Sequence, residues 1–324
     1  MNTPLYPLVF EPILKDRIWG GKKLETYLDK ENLPTATTGE SWELSAVDGD
    51  VSIVKEGLWK GKPLTEILEG YPDEILGTKV HARFGTQFPL LFKFLDARED
   101  LSIQVHPNDA LAKERHNSFG KTEMWYVMQA DEGSRIIVGF KEKSSPQQYL
   151  DHLKDKNLIE ILNEVQANKG DVFFLETGTI HAIGAGIVIA EIQQTSDITY
   201  RVYDWDRVDA EGKSRQLHVE EALDAMNYNV TDTQKQYETS VNSSNVMVDC
   251  PYFTTSFLPL DGNVPIKKDG SSFTVYICTE GFFSVTAEDG QVYSYKKGDT
   301  VLIPAGLKSY SLSGTATLLE IYIS

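Results

Sequence analysis

The stretch LSIQVHPND (residues 101–109) reads as a strand ended by proline. Alternate residues of a strand share a face, so Ser102, Gln104 and His106 project together. In FGKTEMWYV, Lys121 and Glu123 share a face in the same way, ahead of Trp125 and Val127, which are expected to be buried. A charged pair on a half-buried strand is costly unless each charge finds a partner. His181 closes the phrase GDVFFLETGTIHA (residues 170–182). Taken singly, these residues have plain explanations: a solvent face, a cross-strand salt bridge, a packed histidine. Taken together, Gln104, His106, Glu123 and His181 lie on three predicted strands that one β-sandwich folds into a single cavity. Two imidazoles and a carboxylate suit a borderline divalent ion such as zinc, with the carboxamide oxygen of Gln104 as a neutral fourth ligand. With one anionic ligand, the bound ion keeps net positive charge and remains a Lewis acid, so an open site for one divalent ion is expected rather than a closed structural one.

The other histidines, His81, His116, His152 and His218, fall in helical or loop contexts and are expected to pack or lie at the surface. Downstream, IVIAEIQQTSDITYRVYDWDR carries Glu191 on a strand and Arg201 ten residues later. LFKFLDA places Lys93 between apolar residues that are expected to be buried. The chain has a net charge of −17, which argues against nucleic acid and anionic membrane as partners. An anionic small substrate must therefore be held by a few placed cations. Lys93, Lys121 and Arg201, with the hydroxyl of Ser102, would form that local positive pocket for a phosphorylated substrate.

Most of the chain must be strand to position these groups. Runs such as SIQVHP, EMWYVMQ, SRIIVGF, IVIAEIQQ and FTVYICTEG alternate with Gly, Asp and Pro turns. Helices are expected at about 62–82, at 145–165, where Ser145 and Pro146 form a start signal, and at 216–227. The phrase at 170–182 returns at 298–310 as GDTVLIPAGLKSY, with Ser309 at the place of His181. Upstream of each copy, KTEMWYVMQ resembles SSFTVYICT, which sets Phe273 opposite Glu123. Two strand-rich copies, one decorated with helices and one plain, predict tandem jelly rolls. The polar stretch 231–246 marks the boundary, giving a metal-binding domain at 1–235 and a second domain at 236–324 without the metal site. Two cysteines make no disulfide framework or zinc-finger spacing. No basic-then-apolar leader and no run of about 18 apolar residues is present, so a cytoplasmic location is expected.

PLLFKFLDAREDLSIQVHP, GKTEMWYV, GTIHAIGAGI and EIQQTSDITYRVYDWDR, in that order, resemble the type I phosphomannose isomerases of the short bacterial form. PLVFEPILKDRIWGG and GESWELSA near the start resemble the same family, so the likeness spans about residues 5–225. The resemblance implies a mainly β fold of tandem cupin (jelly-roll) domains, with helical insertions in the first, and a zinc ion. It also implies reversible interconversion of mannose 6-phosphate and fructose 6-phosphate, with a small-molecule sugar phosphate as partner and the oligomeric state left open. Carried over by position, the metal ligands are Gln104, His106, Glu123 and His181. Arg201 falls in the family's catalytic region, and Ser102, Lys93 and Lys121 match polar residues of its pocket. The chain departs from longer members after Arg201, where VYDWDR stands in place of a segment with a further basic residue. Lys93 or Arg207 is expected to compensate.

Aldose–ketose isomerisation moves a proton between C1 and C2 through an enediol, which needs an electrophile, a base and a phosphate handle. The expected roles are Arg201 with Lys121 on developing oxyanion charge, Lys93 and Ser102 on the phosphate, and Glu191 as base, with Lys121 or a metal-bound hydroxide as rivals. The alternatives are a metal-dependent cupin oxygenase and a non-catalytic sugar-phosphate-binding cupin.

Overall fold

The computed structural model describes residues 5–208 and 211–324. The chain begins with β1 (Ile13–Asp16), a one-turn α1 (Lys23–Thr26), β2 (Thr38–Leu44) and a small hairpin of β3 (Ala46–Val47) and β4 (Asp50–Val51). The first expected helical insertion is three short helices, α2 (Leu64–Gly70), α3 (Pro72–Leu76) and α4 (Thr78–Phe84). Pro72 starts the second of them, and Gly77 at φ +92° separates it from the third. A Cβ at Gly77 would sit 2.5 Å from the backbone of Ser271, so this turn also needs glycine for its close approach to the C-terminal half.

Next come β5 (Leu90–Ala97), β6 (Ile103–Val105), α5 (Asp109–His116), β7 (Glu123–Ala130) and β8 (Arg135–Phe140). The segment expected to be helical to residue 165 divides. Helix α6 (Pro146–Lys154), capped by the Ser145 side chain, is followed by a 3-10 turn and then a strand, β9 (Leu162–Gln166). Lys156 at φ +58° breaks the helix, and the LNEVQ stretch then pairs with β8. Then follow β10 (Val172–Leu175), β11 (His181–Ile183), β12 (Ile187–Gln194), β13 (Tyr200–Tyr203), α7 (Val219–Ala225) and β14 (Gln234–Lys235).

These strands make two antiparallel sheets, β1-β2-β5-β12-β7-β10-β14 and β13-β6-β11-β8-β9. Between them lies a core that includes Leu95, Trp125, Val127, Ile136, Val138 and Ile189. The opposite face of the larger sheet, with Phe92, Phe94, Met124, Tyr126 and Ala190, is covered by the α2–α4 helices and by Val275, Ile277, Leu319 and Ile321 of the C-terminal half. Strands β5 and β12 are thus buried along their whole length, which is why both read as near-continuous apolar runs.

The C-terminal half is β15 (Asn245–Asp249), β16 (Thr254–Lys267), β17 (Thr274–Ala287), β18 (Val292–Lys296), β19 (Thr300–Ile303) and β20 (Ser309–Tyr322). Its three 14-residue strands, β16, β17 and β20, run side by side and curl around a core of Leu258, Tyr276, Phe283, Val301 and Leu318. The architecture is mainly β, a tandem cupin with helical insertions in its first part.

The two copies can now be superposed by register. Gly170 and Gly298 both sit at φ +89°, and each precedes its strand by the same interval. Leu175 pairs with Glu123, and its counterpart Ile303 pairs with Thr274. The residue equivalent to Glu123 is therefore Thr274, one position on from the Phe273 expected from the sequence. Phe273 instead turns into the core beneath Phe88, with the ring centres 5.0 Å apart. Neither Thr274 nor Ser309 offers a strong metal ligand, so the contrast between the copies stands with the corrected pairing.

Candidate metal centre and substrate cavity

One cross-strand row of the larger sheet carries a buried charged pair between two tryptophans. Trp125 on β7 lies opposite Glu191 on β12, Glu191 opposite Lys93 on β5, and Lys93 opposite Trp42 on β2. In the smaller sheet, His181 on β11 and Arg201 on β13 both lie opposite Gln104 on β6. The two rows face each other across the sandwich and close a cavity of about 470 Å³, bordered by Ser102, Gln104, Lys93, Lys121, Glu191 and Arg201. Of the polar residues singled out in the sequence, Lys93, Ser102, Gln104, Lys121, Glu191 and Arg201 are brought to this cavity and His106, Glu123 and His181 to the cluster beside it, whereas Arg207 is not.

That cluster is His106, Glu123 and His181, whose ligand atoms lie within 4.8 Å of one another. All three are buried. The Nε2 atoms of His106 and His181 stand 3.6 and 3.4 Å from the two carboxylate oxygens of Glu123. Each ring donates its Nδ1–H to a backbone carbonyl, His106 to Ile198 at 2.8 Å and His181 to Thr179 at 2.7 Å. This sets the tautomer and turns both Nε2 lone pairs inward, the outer-shell arrangement of a metal-ligating histidine. Burial and then the neighbouring Lys121 push the His106 pKa well below its ordinary value, and burial brings His181 down to about 4. Both rings are thus neutral, as ligation requires.

Two atoms in this cluster, Glu123 Oε1 and His181 Nε2, are buried and have no hydrogen-bond partner. An acceptor facing a lone pair with no proton between them is costly in a dry interior and is relieved by a cation. The ammonium of Lys121 already answers the same attraction, donating to His106 Nε2 at 3.1 Å and to Glu123 Oε2. Burial raises Glu123 to about 7 despite Lys121 beside it, so the carboxylate is held under desolvation that a bound ion would compensate. The residues fit a divalent ion with nitrogen and oxygen donors. Gln104 pairs with His181 across the two strands and borders the adjoining cavity.

Glu191 differs. Its Oε1 lies 3.0 Å from Lys93 and 4.0 Å from Lys121, and its Oε2 accepts the indole N–H of Trp125 at 3.0 Å. Burial opposes its ionisation, but Lys121 and Lys93 together overcome that and hold it at about 2. Lys93 in turn lies 4.8 Å from the ring centre of Trp42 and is itself buried. Its charge is already matched, which leaves little for a phosphate.

Sequence reading missed Arg17, Glu40 and Trp42. The Arg17 fork holds Glu40 at 2.8 and 3.0 Å, and the Trp42 indole donates to the same carboxylate at 2.7 Å. They sit in KDRIWGG and GESWELSA, segments whose apolar and polar residues alternate without an obvious chemical pattern. Arg215 also borders the cavity. Arg207 is not among the bordering residues. Of the set-aside histidines, His116 contacts the Tyr200 hydroxyl at 2.8 Å and His218 accepts from the backbone N–H of Arg201 at 3.1 Å. Both brace β13.

The second half reaches the site through one chain of bonds. Tyr252 donates to Asp109 Oδ2 at 2.8 Å, and Asp109 Oδ1 accepts from Gly120 N–H at 2.8 Å and from the Gln194 amide at 3.0 Å. Gln194 in turn accepts from Thr122 N–H at 2.9 Å, so Lys121 is held between two anchored peptides. A Cβ at Gly120 would sit 2.7 Å from the Asp109 nitrogen. Tyr252→Phe removes one donor to a carboxylate and is expected to cost about 1.5–3 kcal/mol. A lowered denaturant midpoint with unchanged metal content would register it, and an unchanged midpoint would count against the coupling.

Fold and site together define a tandem cupin with one candidate metal centre among the described residues, set in its first sandwich. Residues 8–133 match the family model for the phosphomannose isomerase type I catalytic domain, and residues 243–323 that for the mannose-6-phosphate isomerase cupin domain. The chain is 35% identical to the mannose-6-phosphate isomerase of Streptococcus mutans over 97% of each chain, and 35% identical to one from Bacillus subtilis over 96% of each. It superposes on a crystal structure of the Bacillus subtilis mannose 6-phosphate isomerase with a TM-score of 0.90 at 33% identity, covering 98% and 99% of the two chains. The chain belongs to the type I phosphomannose isomerase family. No helix among the described residues is long and apolar enough to cross a membrane.

Proposed function

We propose that this chain interconverts mannose 6-phosphate and fructose 6-phosphate through an enediol, with one zinc ion held by Gln104, His106, Glu123 and His181 in the 1–235 domain. The observation that carries the reading is the buried face between Glu123 Oε1 and His181 Nε2, two atoms without a hydrogen-bond partner, in a member of this family. Bound there, a divalent ion would polarise the sugar's carbonyl and hydroxyl oxygens.

The protein's own groups divide the remaining work. Lys121 borders the cavity and touches His106, so its ammonium is the group nearest the developing oxyanion. The strongest attraction holding its proton is Glu123. Once that carboxylate is committed to a cation, Lys121 can accept as well as donate, and we assign it the proton moved between C1 and C2. Glu191, expected from the sequence to be the base, is better suited to fixing Lys93 and Lys121, because its Oε1 lies in ion-pair range of Lys93 and its Oε2 accepts from Trp125. Arg201 stands two strands from His181, about 10 Å away at the usual strand spacing. That distance supports a role at the far end of a hexose phosphate rather than at the oxyanion.

A coupled assay on mannose 6-phosphate is expected to show turnover that a chelator abolishes and zinc restores. The same rate is expected under nitrogen, since the reaction consumes no oxygen. Turnover indifferent to the chelator, or dependent on oxygen, would refute the reading.

A further inference from the structure

Resting on that reading of the substrate, we propose that Arg215 is the second half of the phosphate site, closing with Arg201 on the sugar's distal phosphate in place of the basic residue missing after β13. The chain is folded back to make this possible. Trp205 and Asp206 both adopt left-handed backbone, at φ +57° and +54°, and an isolated bridge joins Val208 to Ser214. The returning segment is then tied to β13: Arg201 donates its Nη1 to Gln216 O at 2.9 Å, and His218 N–H donates to Arg201 O at 2.8 Å. Arg215 is thereby set next to Arg201 at the cavity wall.

The local charge balance calls for an anion. Asp204 holds Arg215 through Nε and Nη2 at 2.7 and 2.6 Å and Arg207 at 2.7 Å, and its field also reaches Arg201. Among the described residues bordering the cavity, six lysines and arginines face four carboxylates, an excess of positive charge. The Nε of Arg201 is buried without a hydrogen-bond partner, an unmet donor at the same place. The Asp204 fork leaves Nη1 of Arg215 outside it. Two adjacent planar guanidiniums suit a phosphate dianion, which can accept from both at once. The other cations fit less well. Lys93 is matched by Glu191, and Arg207 spends its Nη1 on Asp100 O at 2.7 Å and its Nη2 on Asp204. The clamp also lies at the right end, on the strand two removed from His181, so the sugar would span Gln104 between metal and phosphate.

The test is steady-state kinetics on the full metal-loaded chain, with inorganic phosphate as competing ligand. Arg215→Gln is expected to raise the KM for mannose 6-phosphate roughly tenfold to a hundredfold and to weaken phosphate inhibition by the same factor, with kcat within about threefold. Arg215→Lys should fall between. Arg207→Gln, which also loosens Asp204, should leave both constants within about twofold. If Arg215→Gln does not fold, Arg215→Lys against Arg207→Gln makes the same comparison. An unchanged KM, a fall in kcat with phosphate inhibition unmoved, or an equal effect from Arg207→Gln would overturn the proposal. A wild-type chain that does not turn over mannose 6-phosphate overturns the isomerase reading instead. In that event calorimetric binding of inorganic phosphate, lost in Arg215→Gln, still supports the clamp, and its absence from the wild type refutes it.

Discussion

Replacing His181 with alanine is expected to empty the metal centre and lower mannose 6-phosphate turnover by roughly a thousandfold or more, while Ser309→Ala leaves both unchanged within about twofold. The two residues begin equivalent strands after equivalent turns, so the pair is an internal control for position in the fold. His181 supplies an inward Nε2 with no partner, and its Nδ1–H is already tied to Thr179. Removing the ring takes away a ligand and leaves Glu123 Oε1 facing an apolar void. Ser309 has Thr274 in the place of Glu123, and the space is taken by a network in which Tyr276 contacts Tyr310 at 3.0 Å. Metal content by mass spectrometry, measured beside the coupled assay, decides the matter. Metal at wild-type stoichiometry in His181→Ala, or metal loss in Ser309→Ala, would remove the basis for the proposed centre.

The ligand types were legible because strand alternation is a local property. Ser102, Gln104 and His106 share a face whatever the neighbouring strands do, and so do Lys121 and Glu123. What joins them is register, which depends on pairings made far along the chain. Nothing in LFKFLDA says that Lys93 lies opposite Glu191, nor does IVIAEIQQ say that Glu191 meets Trp125 on its other side. The placing of Phe273 opposite Glu123 failed for the same reason. The partner strands β10 and β19 set the frame, and they shift the equivalence by one residue, to Thr274. A shift of one changes the face, and with it whether a residue enters the core or the site. The strand within 145–165 was hidden by a good start signal at Ser145 and Pro146. Helix periodicity cannot announce that Lys156 turns left-handed and releases the next residues to pair. Arg215 was invisible because its position depends on a reversal between Val208 and Ser214.

Register also separates structural from chemical roles, and Glu191 is the case with the largest consequence for stability. Its equivalent in the second sandwich is Glu320: Glu191 lies opposite Trp125, and Glu320 lies opposite Tyr276, which occupies the place of Trp125. Tyr276 donates to Glu320 at 3.2 Å, as Trp125 does to Glu191, and Lys268 supplies a cation at 2.8 Å. A buried carboxylate with an aromatic donor and a lysine thus occurs where His181 and Glu123 have no counterparts that ligate. The arrangement belongs to the fold before it belongs to the reaction.

Glu191→Gln would leave Lys93 buried without its counter-charge. Breaking one side of such a pair costs about 3–5 kcal/mol, which corresponds to a fall in Tm on the order of 10 °C. Replacing both partners, as in Lys93→Met with Glu191→Leu, is expected to recover much of that loss, since a matched apolar pair avoids the desolvation of two charges. Glu320→Gln should lower Tm less, because Lys268 is partly exposed, and should leave metal and turnover in place. For the chemistry, Glu191→Gln is expected to keep exchange of the substrate's C2 proton with solvent, followed by deuterium incorporation, even where turnover drops. A folded, metal-replete Glu191→Gln protein with no exchange would return the base to Glu191 and take it from Lys121. Exchange that survives in Glu191→Gln but vanishes in Lys121→Met fixes the lysine as the proton carrier and the glutamate as the charge that holds it there.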